Sequence, residues 1–295
     1  MRFTRIAATV TSTVAAAVTA AMALVAPVAS AQGVGGQMMS SDNTMGMLEQ
    51  QGCKPHYLIA VPGGANTVAG VPTFVPHGGH VFSTGLLTQM RTNGAIEPLW
   101  ISYNSGAFAQ RPYYAASKAA YDTTYGTVAK LANACPDATF SFTGFSLGAD
   151  VTARLTRDIA NGFGPIAQER VDAVAVIANP YQGPNGATLS PGTSPDSVGA
   201  LGALEGGYGV LAGRVLEICR PDDIVCSMRE EHRALVAPAM RTHMSAGRIP
   251  WNEYQAILQK LGPSAGAVVA GMAAHGGYAT FGPQQASDWI VQHTM

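Results

Sequence analysis

The stretch T-F-S-F-T-G-F-S-L-G-A-D-V-T-A-R-L-T-R-D, residues 139–158, decides the fold of this chain. It opens with the β-branched and aromatic composition of a strand. Leu147 and Val151 then begin a row of apolar residues four apart, which predicts a helix. Ser146 lies at the tip of the sharp turn between strand and helix. A strand, a tight turn with a serine at its tip and then a helix form the context of a nucleophile elbow.

Two glycines, Gly144 and Gly148, flank Ser146 in the sequence. Glycine allows a strand and a helix to pass closely, and it allows the backbone at the tip to adopt a strained conformation. The helix begins directly after Ser146, so its unpaired N–H groups and its dipole favour negative charge beside the serine. These features make Ser146 the candidate nucleophile.

The same pattern, G-x-S-x-G, occurs a second time around Ser264, at residues 262–266. This copy follows a helical pattern of apolar residues, and Pro263 stands directly before the serine. No strand leads into it, so the pattern predicts a turn between two helices. The structural context therefore selects Ser146 over Ser264.

The composition of the chain restricts its class. With 295 residues, of which 47% are hydrophobic, the chain can form one large domain and is not disordered as a whole. Charged residues make up 12%, with 17 basic and 18 acidic side chains. This balance argues against a nucleic-acid-binding surface, and no nucleic-acid partner is expected.

The N-terminal residues have the features of an export signal. Two arginines precede an apolar run, residues 6–28, and an A-x-A cleavage site ends at Ala31. We therefore expect residues 1–31 to be a signal peptide and the protein to be secreted, extracellular or associated with the cell envelope. An uncleaved membrane anchor is the alternative. No transmembrane span is expected in the mature chain, because no second segment is apolar and long enough.

Four cysteines, Cys53, Cys135, Cys219 and Cys226, predict two disulfides, because an even count in an exported protein favours pairing. Three connectivities are possible, and the sequence alone does not select one. The short spacing of Cys219 and Cys226 favours a local bridge, which would leave the other two to close a long loop. A zinc site is disfavoured because no C-x-x-C pair exists, and no metal is expected.

The order of strand and helix patterns predicts an α/β fold, with a mostly parallel sheet of about five strands and helices on both faces. The strand candidates are residues 56–61, 99–103, 139–143, 171–177 and 214–218, and a long helix is predicted over residues 115–134. Residues 179–207 are rich in Gly, Pro, Ser and Asn, which predicts a long loop.

Three segments that can carry chemistry each follow a predicted strand: Ser146, the turn 62–67 and the loop 219–226. Reactive groups collect at the carboxyl ends of parallel strands, so these segments are expected to form one site. The turn is where an α/β hydrolase places a second oxyanion N–H, although it has the composition of an ordinary turn as well. His77 and His80 follow it and are interpreted as loop residues rather than metal ligands.

A serine nucleophile needs a base to take its proton and an acid to orient that base. In α/β hydrolases these residues follow the nucleophile in the order acid, then histidine. Asp222 and Asp223, in the loop between Cys219 and Cys226, compete for the role of the acid.

Four histidines follow this acid: His232, His243, His275 and His293. His232 lies in a charged helical stretch and is expected to be solvated, whereas His293 is close to the C-terminus. His275 lies in a glycine-bearing loop after an apolar run, a placement that suits a catalytic histidine. The pattern favours His275 without excluding the others.

These motifs together resemble the cutinase family of serine esterases. Four blocks occur in the family's order: C-P-D-A-T at residues 135–139, G-F-S-L-G-A at 144–149, C-x-x-x-D-x-x-C at 219–226 and H-x-x-Y at 275–278. The resemblance implies an α/β-hydrolase-type three-layer sandwich and a catalytic set of Ser146, Asp223 and His275. It also implies the disulfides Cys53–Cys135 and Cys219–Cys226.

The same resemblance implies a mechanism without a metal or organic cofactor, in a protein expected to be monomeric. The backbone N–H groups of Leu147 and Ala65 are then expected to hold the oxyanion. One departure concerns the turn: the family has Arg-Gly-Ser/Thr where this chain has Pro62-Gly63-Gly64. A hydroxyl group that would support the oxyanion is therefore missing unless Asn66 or Thr67 supplies a replacement.

The second departure is a helical insertion between the acid and the histidine, which are 52 residues apart. Helix-like segments at residues 228–246 and 251–260 occupy it. The mature chain is expected to consist of a flexible N-terminus, residues 32–51, and one domain, residues 52–295. The insertion, about residues 228–270, is expected to form either a cap over the acyl pocket or a peripheral elaboration.

The functional prediction is a secreted hydrolase of carboxylic esters, with a lipid, glycolipid or cutin-like polyester as substrate. An acyltransferase that acts on envelope sugars or lipids with the same three residues is a second hypothesis. A third is an envelope-associated binding protein with a decayed site, which the altered turn after the first strand supports.

Overall fold

The computed structural model describes residues 40–106, 112–234 and 251–295. The expected signal peptide, residues 1–31, lies outside the described residues, and so does part of the expected insertion, residues 235–250. His243 belongs to that part. Among the described residues, no helix combines the length and the apolar character needed to cross a bilayer.

The described residues include six strands and seven α-helices, besides the helical residues 230–234. The strands are β1 (His56–Val61), β2 (Ile96–Trp100), β3 (Thr139–Phe145), β4 (Val171–Ile177), β5 (Thr188–Leu189) and β6 (Val215–Ile218). The helices are α1 (Ser40–Gln51), α2 (His80–Arg91), α3 (Tyr113–Ala134), α4 (Leu147–Ala160), α5 (Trp251–Leu261), α6 (Ala265–Ala274) and α7 (Gly282–Thr294).

The strands form one sheet in the order β2-β1-β3-β4-β6-β5, and each neighbouring pair is parallel. The predicted α/β class is thus confirmed. The sheet has one strand more than expected, because the two-residue strand β5 pairs with β6 inside the predicted loop 179–207. So short a strand has no periodicity by which a sequence could reveal it.

The central strands read as continuous apolar runs because both faces of the sheet are covered. In β1, Tyr57 and Ile59 face a core cluster shared with α3 and α4. Leu58 and Ala60, which alternate with them, face a second cluster shared with α2 and α7. The result is the expected three-layer sandwich of helices, sheet and helices.

Helices α2 and α7, which pack against each other on one face of the sheet, are absent from the sequence prediction. Apart from Val81 and Ile290, their buried positions are filled by small or polar residues, which leave no apolar stripe for pattern analysis to detect. The buried residues are Val81, Thr84, Gly85 and Thr88 in α2, and Gly282, Pro283, Ala286, Ser287 and Ile290 in α7. A hydrogen bond of 3.1 Å from Thr88 Oγ1 to Ser287 Oγ joins the two helices.

Of the segment expected to be flexible, residues 32–39 lie outside the described residues, and residues 40–51 form helix α1. This helix packs against α3, and Met47 and Leu48 lie in the same core cluster as that helix. Thr44 Oγ1 lies 2.8 Å from Thr73 Oγ1 in the interior. The polar composition of this segment concealed its helical fold, since its buried side is short.

The two disulfides pair Cys53 with Cys135 and Cys219 with Cys226. The first bridge joins the segment before β1 to the residue after α3, across a sequence separation of 82. On the chain-entropy model, closing a loop of that length contributes about 4–5 kcal/mol to stability. The second bridge closes the short loop after β6.

In the insertion, Ser264 lies in a 3-10 helix, Gly262–Ser264, between α5 and α6. The predicted turn between two helices is therefore present there. Residues 230–234 are helical, as expected for the start of the segment 228–246. His232 is buried in this part of the chain, so the expectation that it is solvated was wrong.

A pair of glycine substitutions tests the close contact between α4 and β1. A Cβ atom on Gly148 would lie 2.0 Å from the carbonyl oxygen of Val61, an atom that cannot rotate away. We expect Gly148→Ala to lower the free energy of unfolding by roughly 3 kcal/mol or more. The measurement is denaturant unfolding of the purified protein.

Gly126→Ala is the matched control. Gly126 lies inside α3, and a Cβ atom there would meet nothing within 4 Å. Because alanine favours the helix over glycine, this change should raise stability by about 0.5–1 kcal/mol. Equal stabilities of the two variants would contradict the close packing of α4 on β1.

Candidate active site

Ser146 occupies the turn between β3 and α4 with φ 56° and ψ −119°, a conformation that residues other than glycine rarely adopt. Its N–H donates to the carbonyl oxygen of Ile177 at 3.0 Å, which ties the strained residue to β4. A Cβ atom on Gly144 would lie 2.3 Å from the carbonyl oxygen of Gly148. The elbow therefore needs both glycines, as the sequence predicts.

His275 lies at the C-terminus of α6 and contacts both of its expected partners. Its Nε2 is 2.8 Å from Ser146 Oγ, and its Nδ1 is 2.9 Å from Asp223 Oδ2 and 3.2 Å from Oδ1. A carboxylate can only accept, so Nδ1 carries the proton and Nε2 is left to accept from the serine hydroxyl. The structure thus brings the three predicted residues into one hydrogen-bonded chain.

Asp223 is fully buried, in the loop that the Cys219–Cys226 disulfide closes. A buried carboxylate requires hydrogen-bond donors to offset the loss of water. The N–H of Val225 donates to its Oδ1 at 2.8 Å, and the hydroxyl of Tyr278 donates to its Oδ2 at 2.7 Å. The carboxylate is therefore held in place from three sides, with His275 as the third.

Asp222, the competing acid, points to a different environment. It forms a two-pronged ion pair with Arg220, in which the Nη2–Oδ2 distance is 2.7 Å and the Nε–Oδ1 distance is 2.9 Å. Hydrogen bonds from Arg220 lower the pKa of the exposed Asp222 below its ordinary value. The structure therefore separates two adjacent aspartates, one at the histidine and the other at the surface.

Tyr278 takes part in the site in a way that the sequence analysis missed. Besides donating to Asp223, its hydroxyl accepts a hydrogen bond of 3.0 Å from the N–H of Arg220. Burial, together with the charge of Asp223, raises the pKa of Tyr278 far above its ordinary value, so it remains a protonated donor. The spacing H-x-x-Y in the sequence was the available signal for this role.

An aromatic ring stacks on the imidazole of His275. The ring of Phe145, the residue before the nucleophile, stacks on it with a centroid distance of 5.0 Å and an interplanar angle of 19°. The ring of His80 meets Phe145 edge-on at 4.5 Å. His80 is the first residue of α2 rather than a loop residue, and its proximity to the site had no signal in the sequence.

The turn after β1 requires a correction to the predicted oxyanion donors. The N–H of Ala65 donates to the carbonyl oxygen of Ser105 at 2.7 Å, so this N–H is not free to bind an oxyanion. Among the described residues, the N–H groups of Gly63 and Gly64 in the same turn donate to no other backbone group. The N–H of Leu147, at the first position of α4, has no acceptor inside its helix.

The remaining histidines of the described chain lie away from this arrangement. His77 Nδ1 bonds to the carbonyl oxygen of Val75 at 2.8 Å, and His293 Nδ1 bonds to that of Trp289 at 2.9 Å. Across the described ranges, no three His, Cys, Asp or Glu side chains are grouped as metal ligands would be.

The sequence matches the model of the cutinase family over residues 66–246, more than half of the chain. The chain belongs to the cutinase family. The matched residues include Ser146 and Asp223, whereas His275 lies beyond them.

One relative is the carboxylesterase Culp6 homolog of Corynebacterium glutamicum, which is 33% identical over 114 residues. That match covers 32% of this chain and 37% of the relative, so the chain spans little more than a third of the relative's length.

Two solved structures have a similar fold. The catalytic core domain of acetyl xylan esterase from Trichoderma reesei superposes with a TM-score of 0.53 at 16% identity, over 82% of this chain and 99% of the other. Lysin B from Mycobacteriophage D29 superposes with a TM-score of 0.51 at 16% identity, over 81% and 100%. At these identities the likeness supports the fold.

The hydroxyl of Tyr278 provides a test of how Asp223 is held. Tyr278→Phe removes one donor from a buried carboxylate and leaves the N–H of Arg220 without its acceptor. We expect the free energy of unfolding to fall by about 1.5–3 kcal/mol, as for other hydrogen bonds to charged groups. Denaturant unfolding measures the change.

Tyr114→Phe is the control, because the side chain of Tyr114 is 64% exposed. This change should leave stability within about 0.5 kcal/mol of the wild type. If the two variants were equally stable, the hydrogen bond from Tyr278 would not support Asp223.

Proposed function

We propose that the protein is a carboxylic ester hydrolase in which Ser146 is the nucleophile, His275 the base and Asp223 the orienting acid. The observation that carries this proposal is the continuous chain of contacts, 2.8 Å from Ser146 to His275 and 2.9 Å from His275 to Asp223. The position of Ser146 on a strained elbow, in a chain of the cutinase family, supports the same reaction.

In the acylation step, Ser146 Oγ attacks the ester carbonyl carbon while His275 Nε2 takes the hydroxyl proton. The imidazolium that forms is stabilised by the carboxylate of Asp223, which stays ionised. His275 then gives the proton to the leaving alcohol as the carbon–oxygen bond breaks. The product of this step is an acyl ester on Ser146.

The tetrahedral intermediate carries a negative charge on the former carbonyl oxygen. We assign its stabilisation to the N–H groups of Leu147 and Gly64, with Gly64 in place of Ala65. Removal of one donor of this kind commonly costs about 3–4 kcal/mol of transition-state stabilisation. Water then attacks the acyl group with the help of His275, and the free acid leaves.

The surface around the site supports an apolar ester as substrate. Residues 55–90, which include the turn after β1, contain no Asp, Glu, Lys or Arg, and neither do residues 261–287, which include His275. Large apolar side chains are exposed in the same two segments: Val68 is 46%, Phe74 47% and Met272 48% exposed. We infer that an ester with an acyl chain, as in a lipid or a polyester, binds here.

We also propose that the protein is exported. Two disulfides support an oxidising compartment. The A-x-A site that ends at Ala31 supports cleavage there. Protein purified from the culture medium should therefore begin at Gln32.

Substitutions of the three residues test the proposed reaction. Ser146→Ala should lower kcat for p-nitrophenyl butyrate by roughly a factor of 10⁴ or more. Asp223→Asn should lower kcat by roughly 10⁴, because the amide favours the wrong imidazole tautomer. The measurement is release of p-nitrophenol by purified protein.

Asp222→Asn is the matched control, because it makes the same chemical change one residue away, where the carboxylate contacts Arg220 instead of His275. It should retain wild-type kcat. A Ser146→Ala variant with full esterase activity would refute the proposed reaction. A panel of p-nitrophenyl esters with acyl chains of two to twelve carbons tests the substrate class, and a preference for acetate would contradict an apolar acyl pocket.

A further inference from the structure

His80 reaches the active site from a part of the chain that the proposed reaction does not use. It is the first residue of α2, after Gly78 and Gly79, which have φ angles of 99° and 63°. A Cβ atom on Gly78 would lie 2.6 Å from Pro62 Cγ, so this loop packs directly on the turn after β1. The two glycines therefore deliver His80 to the wall of the site beside that turn.

The imidazole of His80 contacts two aromatic residues that touch the catalytic set. Its centroid is 4.5 Å from that of Phe145, at an interplanar angle of 71°, and 6.0 Å from that of Tyr278. Phe145 in turn lies flat against His275. Phe145 therefore contacts both His80 and His275.

His80 also interacts with the backbone that follows His275. Burial is the main influence on the His80 imidazole and lowers its pKa, and charge on His275 lowers it further. A hydrogen bond with the backbone of Gly276 acts in the opposite direction. The group is therefore neutral at pH 7, so it adds no second positive charge when His275 becomes an imidazolium.

We propose that His80 is a positioning residue for His275, which it restrains through the ring of Phe145 that stacks on the imidazole. This inference rests on the proposed esterase function. During the reaction, Nε2 of His275 must face the serine hydroxyl, the leaving alcohol and the attacking water in turn. Fixing the ring that lies on its face limits the imidazole to those positions.

The test compares His80→Ala with His80→Phe and with His77→Ala in the full chain. His77 is three residues away in the same segment, and its imidazole bonds to the carbonyl oxygen of Val75 instead of facing the site. His80→Ala should lower kcat for p-nitrophenyl butyrate roughly 10- to 100-fold, because small misplacements of a catalytic group have effects of this size. KM should stay within about twofold of the wild type.

His80→Phe keeps a ring edge against Phe145 but loses both ring nitrogens. Its kcat should lie between those of His80→Ala and the wild type, while His77→Ala should match the wild type. Titration of Ser146 with a fluorophosphonate counts the folded sites in each sample. If the loss of kcat equals the loss of titratable sites, His80 acts on folding alone and the proposal is wrong.

A spectroscopic readout makes the test independent of turnover. The Nδ1 proton of His275, bonded to Asp223, should give a low-field proton resonance, which Asp223→Asn assigns by its loss. His80→Ala should shift or broaden this resonance, and His77→Ala should leave it unchanged. An unchanged resonance in His80→Ala overturns the proposal, whatever the kinetics show.

The proposed function and the role of His80 fail in different ways. If the wild type does not hydrolyse esters, or Ser146→Ala still does, the esterase function is wrong, and the resonance alone decides whether His80 restrains His275. If the wild type is active, Ser146→Ala is inactive and His80→Ala keeps full kcat, the esterase stands and the positioning role falls.

Discussion

The contact between Gly148 and the carbonyl oxygen of Val61 is the constraint on which the site depends. A Cβ atom on Gly148 would also lie 2.6 Å from the carbonyl oxygen of Pro62, so α4 begins directly against the turn after β1. The strained backbone of Ser146 exists because its neighbours allow this approach. One close contact therefore places the serine at the tip and sets the N–H of Leu147 beside the turn that contains Gly64.

The residues of the site are anchored in the core clusters on both faces of the sheet. The helix that follows Ser146 belongs to the core cluster with α3. Phe145, Tyr278 and the disulfide of the acid loop belong to the cluster on the opposite face, with α2 and α7. His275 lies where these layers meet at the carboxyl ends of the strands, as expected for a parallel sheet. The parts of the site are thus held by two separate cores joined through one elbow.

Much of this arrangement could be predicted from patterns in short segments of the sequence. The elbow was found from its strand, glycines and helix, and β1 and β4 from continuous apolar runs. Helix α2 was missed because Thr84, Gly85 and Thr88 form its buried face, and Gly85 lies against the ring of Trp100. The large ring of Trp100 leaves no room for a bigger residue at Gly85. This contact is formed by tertiary packing, so a short segment of the sequence does not reveal it.

The same limit applies to individual atoms in the site. Turn composition located the segment 62–67, yet the choice between the N–H of Ala65 and that of Gly64 depends on Ser105, a residue far along the chain. Asp222 and Asp223 are neighbours in the sequence, and burial separates them completely. The resemblance to the cutinase family selected Asp223, whereas the spacing of the residues did not. A family motif reflects the tertiary packing that its members share, and residue spacing alone does not.

Helix α6, which overlaps the end of the expected insertion and leads into His275, packs directly on the loop of the acid. A Cβ atom on Gly271 would lie 2.1 Å from Ile224 Cγ2 and 3.1 Å from the carbonyl oxygen of Asp222. The helix that ends at His275 thus packs on the loop that holds Asp223. Since the base and the acid are carried by two elements in direct contact, their separation is set locally, and the chain between the acid loop and α6 can vary in length without changing it.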